Sequence, residues 1–382
     1  MKKKIFTSLG LMSGTSMDGV DLSLIKTDGE TEFTSILDDY FEFDKKLQEK
    51  LINLRESIFT INDLQNSSKK LDEVEKEFTF FNAKIIDDVI KNYEDNIDLI
   101  GFHGQTVFHD PNIKFTKQIG DGNLLSQITK KIVINNFREQ DLKNDGQGAP
   151  LTPIFHRLIF KLLQKKNKIN TPLNIINIGG ITNITKILND TNSIEKSMRA
   201  LDIAPGNCMI DEWVRKNSKK QFDKDGNLAK SGRVNDQILN QAIDNFQILK
   251  FQKSLDIKDF DISFVKGLSL EDGCATITKF SAYLIAKGIE YMTNSNSPSS
   301  IKNLVCGGGR KNVFLIKSIE DNLKNINIKL ENIDSYGFDG DFIESQAFAY
   351  LSVRTFINLP ISFPNTTNCK TPTIGGTINK NF

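Results

Sequence analysis

Four glycine-rich turns follow strand-like segments, at residues 13–19, 179–180, 204–207 and 307–309. A turn that must bring backbone N–H groups against a phosphate selects glycine, because a Cβ would stand in the way. One such turn is weak evidence, since most glycine turns only reverse the chain. Four of them, two at hairpin tips in different halves of the sequence, favour nucleotide phosphates. No GxxxxGK[ST] occurs and no GxGxxG lies between a strand and a helix, so the pattern is neither a Walker loop nor a dinucleotide fingerprint. Phosphoryl transfer also needs charge neutralised near the phosphates and a base for the acceptor. Asp18, inside the first turn, can meet Mg²⁺ through water or can bond its own backbone as an ordinary turn residue. Asp202, flanked by Leu201 and Ile203 just before a glycine-containing turn, is either a helix N-cap partner or a general base. Asn207 is itself a good N-cap for the following helix, which tilts Asp202 towards catalysis.

His103 and Gln105 are placed just past a strand end, where ligand groups commonly lie in open α/β sheets; a satisfied structural histidine is the plainer reading of His103. Asp121, between two glycines, can take a sugar's hydroxyl pair or cap the next helix. His109 and His156 receive no role, and Trp213 reads as core.

The elements that must position these groups alternate in type. Ile5 to Met12 and Val20 to Leu24 read as two strands around the first turn, and Leu173 to Ile178 with Ile181 to Ile187 repeat that design. Two hairpins of one pattern suggest two related lobes. Apolar residues at 64, 71, 74, 78, 81, 85 and 89 predict one long amphipathic helix. Strands are expected over 97–102, ending before His103, and over 115–119, 132–137 and 301–306. Helices are expected through Trp213, over 269–292 and from about 342 to 356. The stretch 294–300 reads as a plain loop, and the polar segment 138–150 as the boundary between lobes. Intermixed helices and strands indicate α/β architecture.

Composition narrows the class. Across 382 residues, 49 Lys+Arg balance 48 Asp+Glu to leave a net charge of +1, which offers no field for nucleic acid. No apolar run approaches the ~20 residues needed to cross a bilayer, so no membrane partner is expected. The lysine-led N-terminus runs straight into Ser13-Gly14-Thr15 without a cleavage pattern, and a cytoplasmic protein is expected. Four scattered cysteines and three histidines argue against a zinc site or a disulfide framework.

At its motifs the chain resembles the anhydro-N-acetylmuramic acid kinases of bacterial cell-wall recycling, in the sugar-kinase/Hsp70/actin superfamily. The matching segments run from Met12 to Asp21, Gly101 to His109, Gln118 to Asn123, Gly146 to Leu151 and Asn177 to Asn183. Pro205-Gly206-Asn207 with Asp211 and Trp213, Cys306 to Gly309, and Glu344 with Ala347 to Ala349 complete the set in family order. The resemblance implies a two-lobe, ribonuclease H-like fold around a central cleft. One lobe would hold residues 1–138 and about 356–382, the other 139–355. Gly14, Thr15, Ser16, Met17, Asp18, Gly19, Val20 and Asp21 would form the first phosphate loop, Gly179 and Gly180 the second, and Gly307, Gly308 and Gly309 the adenosine-side loop. Asp202 would be the general base and Glu344 a supporting carboxylate. Such enzymes use ATP and Mg²⁺ to phosphorylate a small sugar at O6 as its 1,6-anhydro ring opens, and the resemblance suggests a homodimer.

Two departures stand out. The usual Asp-Thr-Gly-Pro-Gly-Asn reads Asp202-Ile203-Ala204-Pro205-Gly206-Asn207, losing a hydroxyl and adding a Cβ. The usual Lys-Ser-Thr-Gly-Arg-Glu reads Lys253-Ser254-Leu255-Asp256-Ile257-Lys258, so an arginine that could hold an anionic substrate is missing, with Lys253 or Lys258 as possible substitutes. The alternatives are a kinase for a different anhydro- or amino-sugar and a non-catalytic or actin-like member of the superfamily. Retention of Asp18, Asp202 and Glu344 weighs against the latter, because a pure binder needs no base.

Overall fold

In the computed structural model, which describes residues 3–188, 193–246, 254–293 and 301–382, the first apolar run becomes β1 (Phe6–Ser13), buried at every position. It pairs antiparallel with β2 (Gly19–Thr27), and β2 pairs antiparallel with β3 (Phe33–Glu42). β4 (Leu99–Asp110) lies parallel to β1 on the other side. β5 (Phe115–Ile119) folds back antiparallel on the end of β4, and β6 (Ile132–Asn135) runs parallel to β4. In the second half β7 (Leu173–Ile178), β8 (Ile181–Ile187) and β9 (Met198–Pro205) form an antiparallel meander. β10 (Lys302–Cys306) runs parallel to β7 and β11 (Glu331–Asn332) parallel to β10. β12 (Thr377–Asn379) returns antiparallel to β6.

The order β6-β4-β1-β2-β3 in one sheet is thus repeated as β11-β10-β7-β8-β9 in the other. The duplication suggested by the two hairpins extends to five strands of each sheet, in the ribonuclease H-like order. Each sheet has its own core: Leu9, Leu22, Phe78, Ile86 and Phe102 in one, Ile176, Ile184, Val214, Ile277 and Ile285 in the other. Among the described residues, no helix is long and apolar enough to cross a membrane.

Two expectations are revised, one strand is added that the sequence did not suggest, and one reading lies outside the described residues. The long helix is two, Ile61–Asn66 and Ser68–Asn92, with the first opened by a Thr60–Asp63 capping box, so Leu64 belongs to the shorter piece. β3 carries little apolar pattern, since most of its side chains are exposed, and it is recognisable only by its pairing with β2. β4 does not end before His103 but continues to Asp110, because the β5 hairpin pairs with residues 105–110 and prolongs it. The 294–300 stretch lies outside the described residues.

The chain divides into one compact unit of Met1–Lys161 with Phe342–Phe382 and a second of Leu162–Asp341. Sequence set these crossings at 138/139 and about 355. Segment 138–150 instead lies within the first unit, carrying the short helix Glu139–Lys143 and the buried Asp141. Both flanking helices anchor there through aromatic rings. Phe155 of Pro153–Lys165 packs on Tyr350 at 5.6 Å, and Phe348 of Ile343–Phe356 on Phe137 at 5.2 Å. Glu344 accordingly belongs to the first unit, half-buried in the first turn of its helix, where a negative charge suits the helix dipole.

Candidate active site

The first unit presents the β1–β2 turn, residues 14–18. Thr15 and Ser16 are exposed at its tip, and Met17 adopts a left-handed φ of 54° with its side chain buried. Behind it stands Gln105, 1% exposed, which sequence reasoning placed against the substrate. Its Oε1 accepts from Ser13 Oγ at 2.6 Å and its Nε2 donates to Gly14 O at 3.1 Å. Gln105 therefore fixes the root of the glycine turn from inside the strand that the β5 hairpin prolonged. Asp18 accepts from Ser16 Oγ, and the Tyr40 hydroxyl also bonds it. Burial, reinforced by Asp18, Asp21 and Glu42, pushes the Tyr40 hydroxyl well above its ordinary pKa, so it stays a donor. Asp21 lies on β2 opposite Met12 and Tyr40, and Val20 is core. Tyr40 was missed because nothing in the β3 sequence marks it as a neighbour of Asp18.

His103 and Asp121 take structural partners. His103 is 4% exposed, bonds Gly104 O through Nδ1 at 2.8 Å, and receives Arg138 Nη2 on Nε2 at 2.9 Å. Burial, helped by the Arg138 charge, drives its pKa well below 6.5, so the ring is neutral and Nε2 can accept. Asp121 caps the helix Gly122–Thr129 by accepting from Leu124 N at 3.0 Å, the plainer of its two readings.

The second unit gathers the other motifs. Asp202 lies on β9, 8% exposed, and its Oδ2 accepts from Ser254 Oγ at 2.9 Å and Leu255 N at 3.0 Å. The β7–β8 turn and the 205–207 turn meet here, with Gly206 N donating to Gly180 O at 2.8 Å and Asn207 N to Gly179 O at 2.9 Å. Asn207 occupies the N-cap position of Cys208–Asn217, but no side-chain capping bond forms. That removes one argument for Asp202 and leaves its own geometry to carry the assignment. Trp213 is core, donating Nε1–H to Leu270 O at 2.9 Å. After β10 the chain turns at Gly307, which requires glycine because its φ is +80° and an added Cβ would lie 2.3 Å from Asn177 Oδ1. Arg310 secures this turn: its Nη1 donates to Gly307 O at 3.2 Å, and it pairs with Asp334, Asp339 and Asp341. Lys258 is exposed on a single helical turn, and Lys253 lies outside the described residues.

Three glycines stand apart. At Gly14, Gly179 and Gly308 the backbone is not left-handed, and an added Cβ would come no nearer than 3.8 Å, 3.6 Å and beyond 4 Å to the protein. Nothing within the fold demands glycine there, and they fall one in each predicted ligand loop. Open backbone of this kind is what close approach to phosphate or adenosine requires. Alanine at any of the three is expected to leave the melting temperature unchanged or slightly raised, by ~0.4–1 kcal/mol of unfolded-state entropy, while weakening ATP binding. Gly307→Ala is expected to lose stability instead. Melting curves with and without ATP separate the two kinds of glycine, and unchanged ATP shifts in all three variants would remove the ligand reading.

A ribonuclease H-like sheet occurring twice, each first hairpin tipped by a glycine turn, defines the class of sugar kinases, Hsp70 chaperones and actins. Sequence comparison makes the assignment specific. The family model for anhydro-N-acetylmuramic acid kinase matches residues 6–381. An anhydro-N-acetylmuramic acid kinase of Pelagibacter ubique (strain HTCC1062) is 51% identical over 383 residues, covering all of both chains. That of Zymomonas mobilis is 38% identical, covering 97% of this chain and 99% of its own. Among solved structures, a hexokinase from Schistosoma mansoni complexed with glucose aligns at 11% identity with a TM-score of 0.44, covering 91% of this chain and 85% of that one. The chain belongs to the anhydro-N-acetylmuramic acid kinase family.

Proposed function

We propose that the protein transfers the γ-phosphoryl group of ATP to O6 of 1,6-anhydro-N-acetylmuramic acid and adds water at the anomeric carbon, giving N-acetylmuramic acid 6-phosphate and ADP. The three unconstrained glycines, one in each ligand loop, are the observation that carries this reading. Full-length identity of 51% to a kinase of that name supplies the substrate.

The substrate has no free 6-hydroxyl, so the acceptor oxygen must be released as it is phosphorylated. Water attacks C1, the C1–O6 bond breaks, and O6 takes the phosphoryl group as ADP leaves. Asp202 takes the proton that the water loses and later returns it to solvent. Backbone N–H groups of the Gly14–Asp18 turn and of Gly179–Gly180 would serve phosphate oxygens, and the Gly307–Gly309 turn would serve the adenosine, whereas Gly19, Val20 and Asp21 belong to the β2 ladder. Mg²⁺, held through water by Asp18, would neutralise phosphate charge; a carboxylate steadied by Ser16 and Tyr40 at the loop tip fits that duty. Glu344 is assigned as a supporting carboxylate. Gln105 and His103 act as positioning residues, the first for the phosphate loop and the second for Arg138. A cytoplasmic place in peptidoglycan recycling and a homodimeric assembly fit the family.

The test is ADP release from Mg-ATP and 1,6-anhydro-N-acetylmuramic acid, with the product weighed. A sugar that gains both a phosphate and a water supports the reading. Folded, ATP-binding protein that releases no sugar-dependent ADP overturns it in favour of another sugar.

A further inference from the structure

Asp202 occupies an irregular point in its sheet. Thr182 faces Ala204 and Asn183 faces Asp202, so Ile203 is one residue too many on β9, a bulge. Ile203 is 3% exposed and packs against the helix Leu270–Thr293 where Gly288 makes room; a Cβ on Gly288 would lie 2.5 Å from that of Ile203. The isoleucine that replaces the usual threonine is thus a core anchor for the bulge, and a hydroxyl there would have been buried among apolar groups. The bulge fixes the Asp202 backbone. The carboxylate itself is held by the segment just past residue 253, through Ser254 Oγ and Leu255 N, both on Oδ2.

We propose that Ser254 is a positioning residue for the base: with the Leu255 N–H it holds Oδ2 and fixes the carboxylate's rotation. The inference rests on the reading of Asp202 as the base. Ser254 is 6% exposed, so a lost donor is not replaced by bulk water. Hydrogen bonds to charged groups of this kind are worth a factor of about 10–100 in equilibrium terms, and Leu255 N retains part of the hold.

The experiment compares Ser254→Ala, Ser254→Thr, Asp202→Asn and the double variant Ser254→Ala/Asp202→Asn, each checked for an unchanged melting temperature. The expected result is a kcat about tenfold lower in Ser254→Ala at unchanged KM for ATP and sugar. Ser254→Thr, which keeps the hydroxyl, is expected to restore kcat, and Ser254→Ala to add nothing once Asp202 is asparagine. Full kcat in Ser254→Ala with an inactive Asp202→Asn overturns the positioning role and leaves the base standing. Multiplicative losses in the double variant also overturn it, because Ser254 would then act apart from Asp202. Normal turnover in Asp202→Asn removes the base itself. Should Ser254→Ala fail to fold, Ser254→Cys provides a similar shape with a weak donor, and undiminished kcat there counts against the proposal.

Discussion

Asp202→Asn is expected to lower turnover by about 10²–10⁴-fold, the range supplied by a general base, while ATP affinity is retained. The substitution is a sharp one because the geometry around it survives. The asparagine carbonyl can still accept from Ser254 Oγ and Leu255 N, which now hold Oδ2 at 2.9 and 3.0 Å. The bulge at Ile203 depends on the packing against Gly288 and not on the carboxylate. What disappears is the capacity to take the proton of the attacking water. Steady-state kinetics with the anhydro-sugar, together with calorimetric titration of ATP, separate these effects. Loss of both turnover and ATP binding would point to a disturbed loop; near-normal turnover would remove Asp202 from the base role.

How much of this was legible in the sequence depended on how local its cause was. The hairpins of β1–β2 and β7–β8 were readable because an apolar run, a glycine turn and a second apolar run are contiguous. β3 was not, since its exposed face gives no periodic signal and its pairing to β2 is decided in space. The same holds for the site. Glycine turns and a carboxylate beside them announce themselves, but the partners that set them come from elsewhere: Gln105 reaches Ser13 across 92 positions and Ser254 reaches Asp202 across 52. The sequence offers Gln105 as a ligand group, and His103 as either a ligand group or a structural histidine, because the strand is expected to stop short of them. Once β5 extends β4 past residue 105, their side chains turn to the protein's own polar groups. Ser254 keeps the serine of a family segment whose arginine is missing, but nothing in its sequence neighbourhood marks Asp202 as its partner.

Asp141→Ala is expected to destabilise the first unit by about 3–5 kcal/mol, in a part of the chain that sequence treated as a polar linker. Asp141 is 1% exposed and holds three donors at once: Gly148 N at 2.7 Å on Oδ2, and Thr367 Oγ1 at 2.6 Å with Ser362 Oγ on Oδ1. It thereby ties the 146–148 loop to the segment that follows Ile343–Phe356, and Gln147 N donates to Thr367 O at 2.8 Å beside it. The loop is tied again on its other side, since Gly148 O accepts from Arg138 Nη1 at 2.9 Å and Arg138 in turn holds His103. Removing the carboxylate orphans buried donors at about 1–3 kcal/mol each; the two hydroxyls recover part of that by rotating, whereas the Gly148 N–H cannot. For a unit of this size the loss corresponds to a melting temperature lower by roughly 10 °C. Asp141→Asn keeps the shape and one acceptor but turns an amide N–H₂ towards a donor, so it is expected to fall between parent and alanine. Thermal unfolding followed by circular dichroism tests the order. Coincident curves for all three proteins would show that the backbone contacts alone fasten the loop, and a full loss in Asp141→Asn would show that charge rather than shape is what the three donors require.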